Sequence, residues 1–117
     1  MNIKQIKAQA NNDITFERGI DYYENGNVHN YKLNVTDTIN IEAEVIGSLN
    51  RIYQVYAIIN QNNELNEYSC ECQAFKTYKG CCKHIIAVLL TYYYDIDNKP
   101  THFEKMNIKT DKFAKKM

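Results

Sequence analysis

The sequence predicts an α+β domain: an N-terminal helix, an antiparallel β-meander of three to four strands, a cysteine-bearing loop and a C-terminal helix. Three observations carry this prediction. Apolar residues recur at helical spacing near the start of the chain, as Phe16, Ile20 and Tyr23. Between Val28 and Cys72 the apolar residues alternate with polar ones in several short runs, the period of a half-buried strand. From Ile85 to Tyr93 the chain is almost unbroken in its apolar character, too long for an ordinary strand and dense enough for a buried helix. With 117 residues, 44% of them hydrophobic, one domain with a genuine core is the expected organisation.

The elements follow in order. Ile3 and Ile6 offer a turn or two of helix at the N-terminus. Asp13 is placed to cap the next helix, with Glu17 where the helix dipole favours an anion, and Asn25-Gly26 ends it. A strand over 28–35 alternates Tyr31, Leu33 and Val35 with lysine and asparagine. A second strand alternates Ile39, Ile41, Ala43 and Val45 with Asn40, Glu42 and Glu44. After a turn at Gly47-Ser48-Leu49-Asn50, the run from Ile52 to Ile59 is apolar on both parities, which predicts a central strand covered on both sides. Gln61-Asn62-Asn63 turns the chain into a last strand over about 66–72, with Tyr68, Cys70 and Cys72 on one parity. The final helix then starts near Cys82. This divides the chain into a domain over 1–97, whose cysteine-bearing segment spans 68–94, and a lysine-rich tail or linker over 98–117.

Charge is balanced overall, with 14 basic and 14 acidic residues, but unevenly placed. From Lys99 onward six lysines oppose only Glu104 and Asp111, so residues 1–98 hold the matching acidic excess. A balanced chain does not grip nucleic acid over its whole surface, although a local patch remains open to it. The first ten residues contain no apolar signal region, and no stretch approaches the roughly 20 apolar residues of a membrane span. A cytoplasmic protein with no membrane partner is the expectation. In that reducing compartment, four cysteines point to metal or free thiols rather than disulfides.

The cysteines come with metal-ligand spacing. Cys70-Glu71-Cys72 and Cys82-Lys83-His84 are two short ligand pairs separated by a loop from Gln73 to Cys81. Three thiolates and one imidazole are the donors of a tetrahedral, closed, structural Zn²⁺ site. One structural zinc ion is therefore expected, and its net charge of about −1 is offset by a helix N-terminus together with Lys76, Lys79 and Lys83. A catalytic zinc needs an open position, which four protein ligands do not leave.

The run from Cys70 to Leu90, CECQAFKTYKGCCKHIIAVLL, resembles the SWIM zinc finger, whose pattern is C-x-C…C-x-H followed by an apolar helix. Phe75, Gly80 and Lys83 also stand where that family commonly has the same residues. Upstream, residues 16–28, FERGIDYYENGNV, are similar to the F-x-R-G-x-x-Y-Y-x-x-G-x-V stretch found before SWIM fingers in bacterial proteins, including those attached to Swi/Snf-type helicases. Cys81 departs from the pattern, placing two cysteines in tandem; it is an alternative to Cys82 as the third ligand, although a buried or spare thiol is the expectation for it. The resemblance implies a zinc-stabilised module for binding DNA or protein, and does not imply catalysis. It leaves open a stand-alone protein or one piece of a helicase.

Enzyme signatures are absent: no glycine leads into a phosphate-binding Gly-Lys-Ser/Thr, Ser48 and Ser69 are the only serines, and no H-E-x-x-H occurs. The leading expectation is DNA binding in support of a helicase, in cis or in trans, with Lys76, Lys79, Lys83 and Arg18 as the nucleic-acid contacts. The alternative is a protein-docking module that does not touch nucleic acid. A third reading makes Cys81-Cys82 a thiol redox sensor. Phe16, Tyr22 and Tyr23 are expected to pack a helix on the sheet rather than form a stacking platform.

Overall fold

A computed structural model describes residues 1–98. Beyond Asn98, the lysine-rich tail expected over 98–117 lies outside the described residues. Two helices open the chain. α1 (Ile3–Gln9) is closed by a capping box: the Asn2 side chain accepts from the Gln5 amide at 2.8 Å, and the Gln5 side chain accepts from the Asn2 amide at 2.7 Å. α2 (Asp13–Glu24) is capped not by Asp13 but by Asn12, whose Oδ1 accepts from the Thr15 amide at 2.8 Å. Asp13 instead falls in the first turn, where its charge meets the dipole. The helix stops at Asn25, and Gly26 follows at φ +75°, a left-handed conformation that suits a residue without Cβ.

Four strands follow, β1 (Val28–Val35), β2 (Ile39–Ile46), β3 (Ile52–Ile59) and β4 (Leu65–Cys70), each antiparallel to the next in the order β1-β2-β3-β4. This is the expected meander. Its inner face carries the buried Ile41, Ala43 and Val45 of β2 and, in register with them, Ala57, Val55 and the half-buried Tyr53 of β3. In β1 the register shifts between His29 and Lys32, with Asn30 at φ +50°. That bulge lets Val28 and Tyr31 both turn inward despite being three residues apart. Val35, expected inside, is 65% exposed at the strand's end.

The expectation for β3 is corrected in one respect. Only one of its faces is covered: Val55, Ala57 and Ile59 are buried, whereas Ile52, Gln54 and Tyr56 face outward and are exposed. Both parities are apolar, yet all three longer helices lie on the same side of the sheet, so periodicity alone overstated the cover. β4 is also shorter than expected and ends at Cys70.

The inner face is closed by α4 (Lys83–Asn98). Every residue from Ile85 to Tyr92 is buried, so the helix has no solvent face over two turns. It is walled by the sheet on one side and by α1 and α2 on others. Thr91 is tolerated there because its hydroxyl donates to the Ala87 carbonyl at 2.9 Å.

α2 meets α4 at Gly19. A methyl group at that position would lie 2.4 Å from Ile86 Cγ2 and 2.7 Å from its Cβ, both anchored in the core. Gly19→Ala is therefore expected to destabilise the domain by about 1–3 kcal/mol, even though alanine is the better helix former by about 1 kcal/mol. Urea unfolding checks this; a stabilised variant would mean that the two helices do not approach so closely.

Candidate metal centre

The site lies where β4 ends and α4 begins. Cys70 is the last residue of β4, and Cys72, two residues on, is the N-cap of a short helix, α3 (Gln73–Thr77). Cys72 Sγ accepts from the Phe75 amide at 3.4 Å. Cys82 stands in the same relation to α4, because its carbonyl accepts from the Ile86 amide at 3.0 Å and its sulfur accepts from the amide of Ile85. The Cys72 amide in turn donates to the sulfur of Cys70. Each of the three sulfurs thus receives a backbone N–H, the arrangement that holds thiolate charge in a buried place.

His84 is the second residue of α4, and its ring turns back onto the sulfurs. Its Nδ1 is 3.7 Å from Cys70 Sγ and 3.9 Å from Cys82 Sγ. One donor atom from each of Cys70, Cys72, Cys82 and His84 lies within 4.8 Å of the others, and all four residues are buried. A tetrahedron with Zn–S bonds of about 2.3 Å and a Zn–N bond of about 2.0 Å has edges of roughly 3.5–3.8 Å, so a small inward movement brings the set onto one ion. The donors suit Zn²⁺: soft thiolates and an imidazole, four in number, the complete set of a closed structural site.

Without a metal the three thiols are poorly matched to one another. A hydrogen bond from Cys70 holds the Cys82 thiol well below its usual range, while that same partnership and burial push Cys70 up. Burial also raises Cys72. One thiolate is thus stabilised at the expense of its neighbours. A divalent cation held by Cys70, Cys72, Cys82 and His84 would remove this conflict by compensating the charge of all three thiolates.

Around the histidine is a box that spacing does not reveal. Tyr53 stacks on the His84 ring at 4.6 Å between centroids, and Tyr22 meets it edge-on at 5.3 Å. Gly47 makes room for this, since a Cβ there would lie 2.6 Å from the Tyr53 ring and 3.4 Å from His84 Nε2. The two tyrosines fix the ring plane with Nδ1 toward the sulfurs. The inward parity of Tyr53 in β3 was the only signal in the sequence.

The rival thiol is elsewhere. Cys81 is fully buried but outside the tetrad, and its backbone forms a parallel bridge with Ala10. Its amide donates to the Gln9 carbonyl at 2.8 Å, and its carbonyl accepts from Asn11 at 3.2 Å. Cys81 therefore ties the end of the loop to the junction of α1 and α2, and burial raises its thiol.

Residues 53–93 match the SWIM zinc finger family. The chain carries a SWIM zinc finger. That span takes in β3, β4, the loop with α3 and most of α4, so the finger includes half of the sheet and the core helix as well as the ligand loop. No curated protein and no solved structure shows significant similarity to the chain. The SWIM finger and its Cys/His tetrad make this a zinc-binding module with one structural Zn²⁺.

The four basic residues expected at a nucleic-acid surface stand on different elements. Lys76 lies on α3 and Lys79 beyond it, both exposed. Arg18 is exposed on α2, one turn before Tyr22. Lys83 is half-buried, with Nζ 5.3 Å above the Tyr22 ring. Among the described residues no helix is long and apolar enough to cross a membrane.

Proposed function

We propose that this chain is a non-catalytic module that binds DNA through its zinc loop and serves a Swi/Snf-type helicase, carried in the same polypeptide or in a separate one. The observation that supports this reading most is the charge of the loop. Between Cys72 and His84 there are three lysines and no acidic residue, on a body otherwise rich in Asp and Glu. Lys76 and Lys79 project from a segment whose two ends are held by the metal ligands, so little freedom is lost when they meet phosphate. Lys83 adds a positive charge above the Tyr22 ring, and Arg18 is exposed one turn before Tyr22 on α2. Four protein ligands leave zinc without an open position, which supports a structural rather than a catalytic role for it. The free thiols suit a reducing cytoplasm. The helicase partner is supported by the likeness of residues 16–28 to the stretch that precedes such fingers.

Fluorescence anisotropy with a labelled duplex tests the DNA contact. Affinity should fall steeply between low and physiological salt, and replacing Lys76 and Lys79 with alanine should reduce the slope of log K against log salt by about 2 while leaving the zinc content unchanged. Affinity indifferent to salt would sink the proposal.

One observation favours a second reading, protein docking. The outward face of β3 exposes Ile52 and Tyr56, with the acidic Glu42 on β2 and Glu67 on β4 exposed on either side of them. A protein partner seated there would stay bound in high salt, and the duplex would not shift at any salt concentration.

A further inference from the structure

A cleft of about 540 Å³ opens at the β4 edge of the sheet, between that strand and the zinc loop, and the metal centre does not use it. Aromatic rings dominate its lining: Tyr56 from β3, Tyr68 from β4, and Phe75 and Tyr78 from the loop. Tyr68 and Phe75 are half-buried and in edge-to-face contact at 6.0 Å, which anchors one part of the lining in the core. Tyr78 is 63% exposed and Tyr56 41% exposed, an unusual exposure for two large aromatics that contribute little to the fold. Lys79 lines the same cleft, and Lys76 lies on α3 three residues earlier.

We infer that this cleft takes unpaired bases of single-stranded nucleic acid, a refinement that rests on the nucleic-acid reading above. The chemistry is that of a stacking platform beside a phosphate contact. Exposed tyrosine faces accept bases of any identity, and an adjacent lysine neutralises the backbone. A duplex presents its bases already stacked and paired, so it offers nothing to Tyr78. Among the described residues Glu67 is the one acidic group on the lining. Its carboxylate accepts hydrogen bonds from the exposed N–H edges of unpaired bases, which a paired strand keeps engaged. Phe75 and Tyr78 lie inside the segment framed by Cys72 and Cys82, so the platform and the metal centre are built from one loop.

The test uses the full zinc-loaded chain and four labelled probes of equal length: an oligothymidylate, an oligouridylate, an abasic single strand and a DNA duplex. The expected result is that one or both base-bearing single strands bind at least about 10-fold tighter than the abasic strand and the duplex, the size of one lost stacking contact. The tighter of the two tells DNA from RNA. Tyr78→Ala should weaken single-strand binding by roughly 10- to 100-fold and leave duplex binding unchanged. The exposure of Tyr78 makes loss of folding an unsuitable explanation, and an unchanged zinc content and melting temperature verify this. An abasic strand that binds as well as the others, or a Tyr78→Ala variant with unaltered affinity, overturns the cleft while leaving DNA binding by the lysines intact. Failure of all four probes to bind overturns both readings.

Discussion

Cys82→Ser is expected to reduce zinc affinity by more than about 100-fold, beyond the 10- to 100-fold that changes around a metal's ligands typically cost, whereas Cys81→Ala keeps one zinc per chain. The two residues are adjacent and both buried, so composition and exposure do not separate them. Position does. Cys82 Sγ lies 3.9 Å from His84 Nδ1 and belongs to the tetrad, while Cys81 is outside it and is held by its backbone against Gln9 and Asn11. In Cys81→Ala both backbone hydrogen bonds survive and only a small buried group is lost, at about 1 kcal/mol. Cys81→Ser is the harsher change there, because a buried hydroxyl needs a partner, at about 1–3 kcal/mol if it finds none. Competition with a calibrated chelator, alongside thermal melts, measures both quantities. Equal zinc loss in Cys81→Ala and Cys82→Ser would assign the third sulfur wrongly.

The second large effect is expected at the centre of the domain. Leu89→Ala should destabilise by about 2–5 kcal/mol. For a domain of this size each kcal/mol lowers the melting temperature by roughly 4–8 °C. Leu89 is fully buried in the middle of α4, where the sheet and the N-terminal helices close around it and leave little freedom to collapse onto a cavity. Leu49, 85% exposed in the β2–β3 turn, is the control, and Leu49→Ala should stay within about 0.5 kcal/mol. Because α4 begins directly after Cys82 and carries His84, loosening it also loosens the site, so the Leu89 variant should release zinc more readily. Similar melting temperatures for the two variants would place α4 at the surface.

Much of this was legible in the residues because it rests on period and spacing. The alternation of Ile41, Ala43 and Val45 reports directly which face of β2 is inward. The unbroken run after His84 reports a helix enclosed on every side. The pairs Cys70/Cys72 and Cys82/His84 imply convergence, since a strand end and a helix start can each present two ligands to one point. What stayed hidden depends on groups brought from far along the chain. Nothing near Gly47 announces that its lack of a side chain admits Tyr53 to the His84 ring, and nothing near Cys81 announces a backbone bridge to Ala10. The bare face of β3 was misread for a related reason: Ile52, Tyr56 and Ile58 are apolar, but periodicity records side-chain type and not which layers exist to cover it. Asn12 displaced Asp13 as a cap by one residue, a shift that turns on backbone angles rather than composition.

X-ray absorption at the zinc edge on the reduced, zinc-loaded chain reads the atoms bound to zinc most directly. The geometry predicts three sulfurs at about 2.3 Å and one nitrogen at about 2.0 Å, with the nitrogen signal lost in His84→Ala. A four-sulfur spectrum, which would draw Cys81 into the site, or an oxygen-rich one would contradict it.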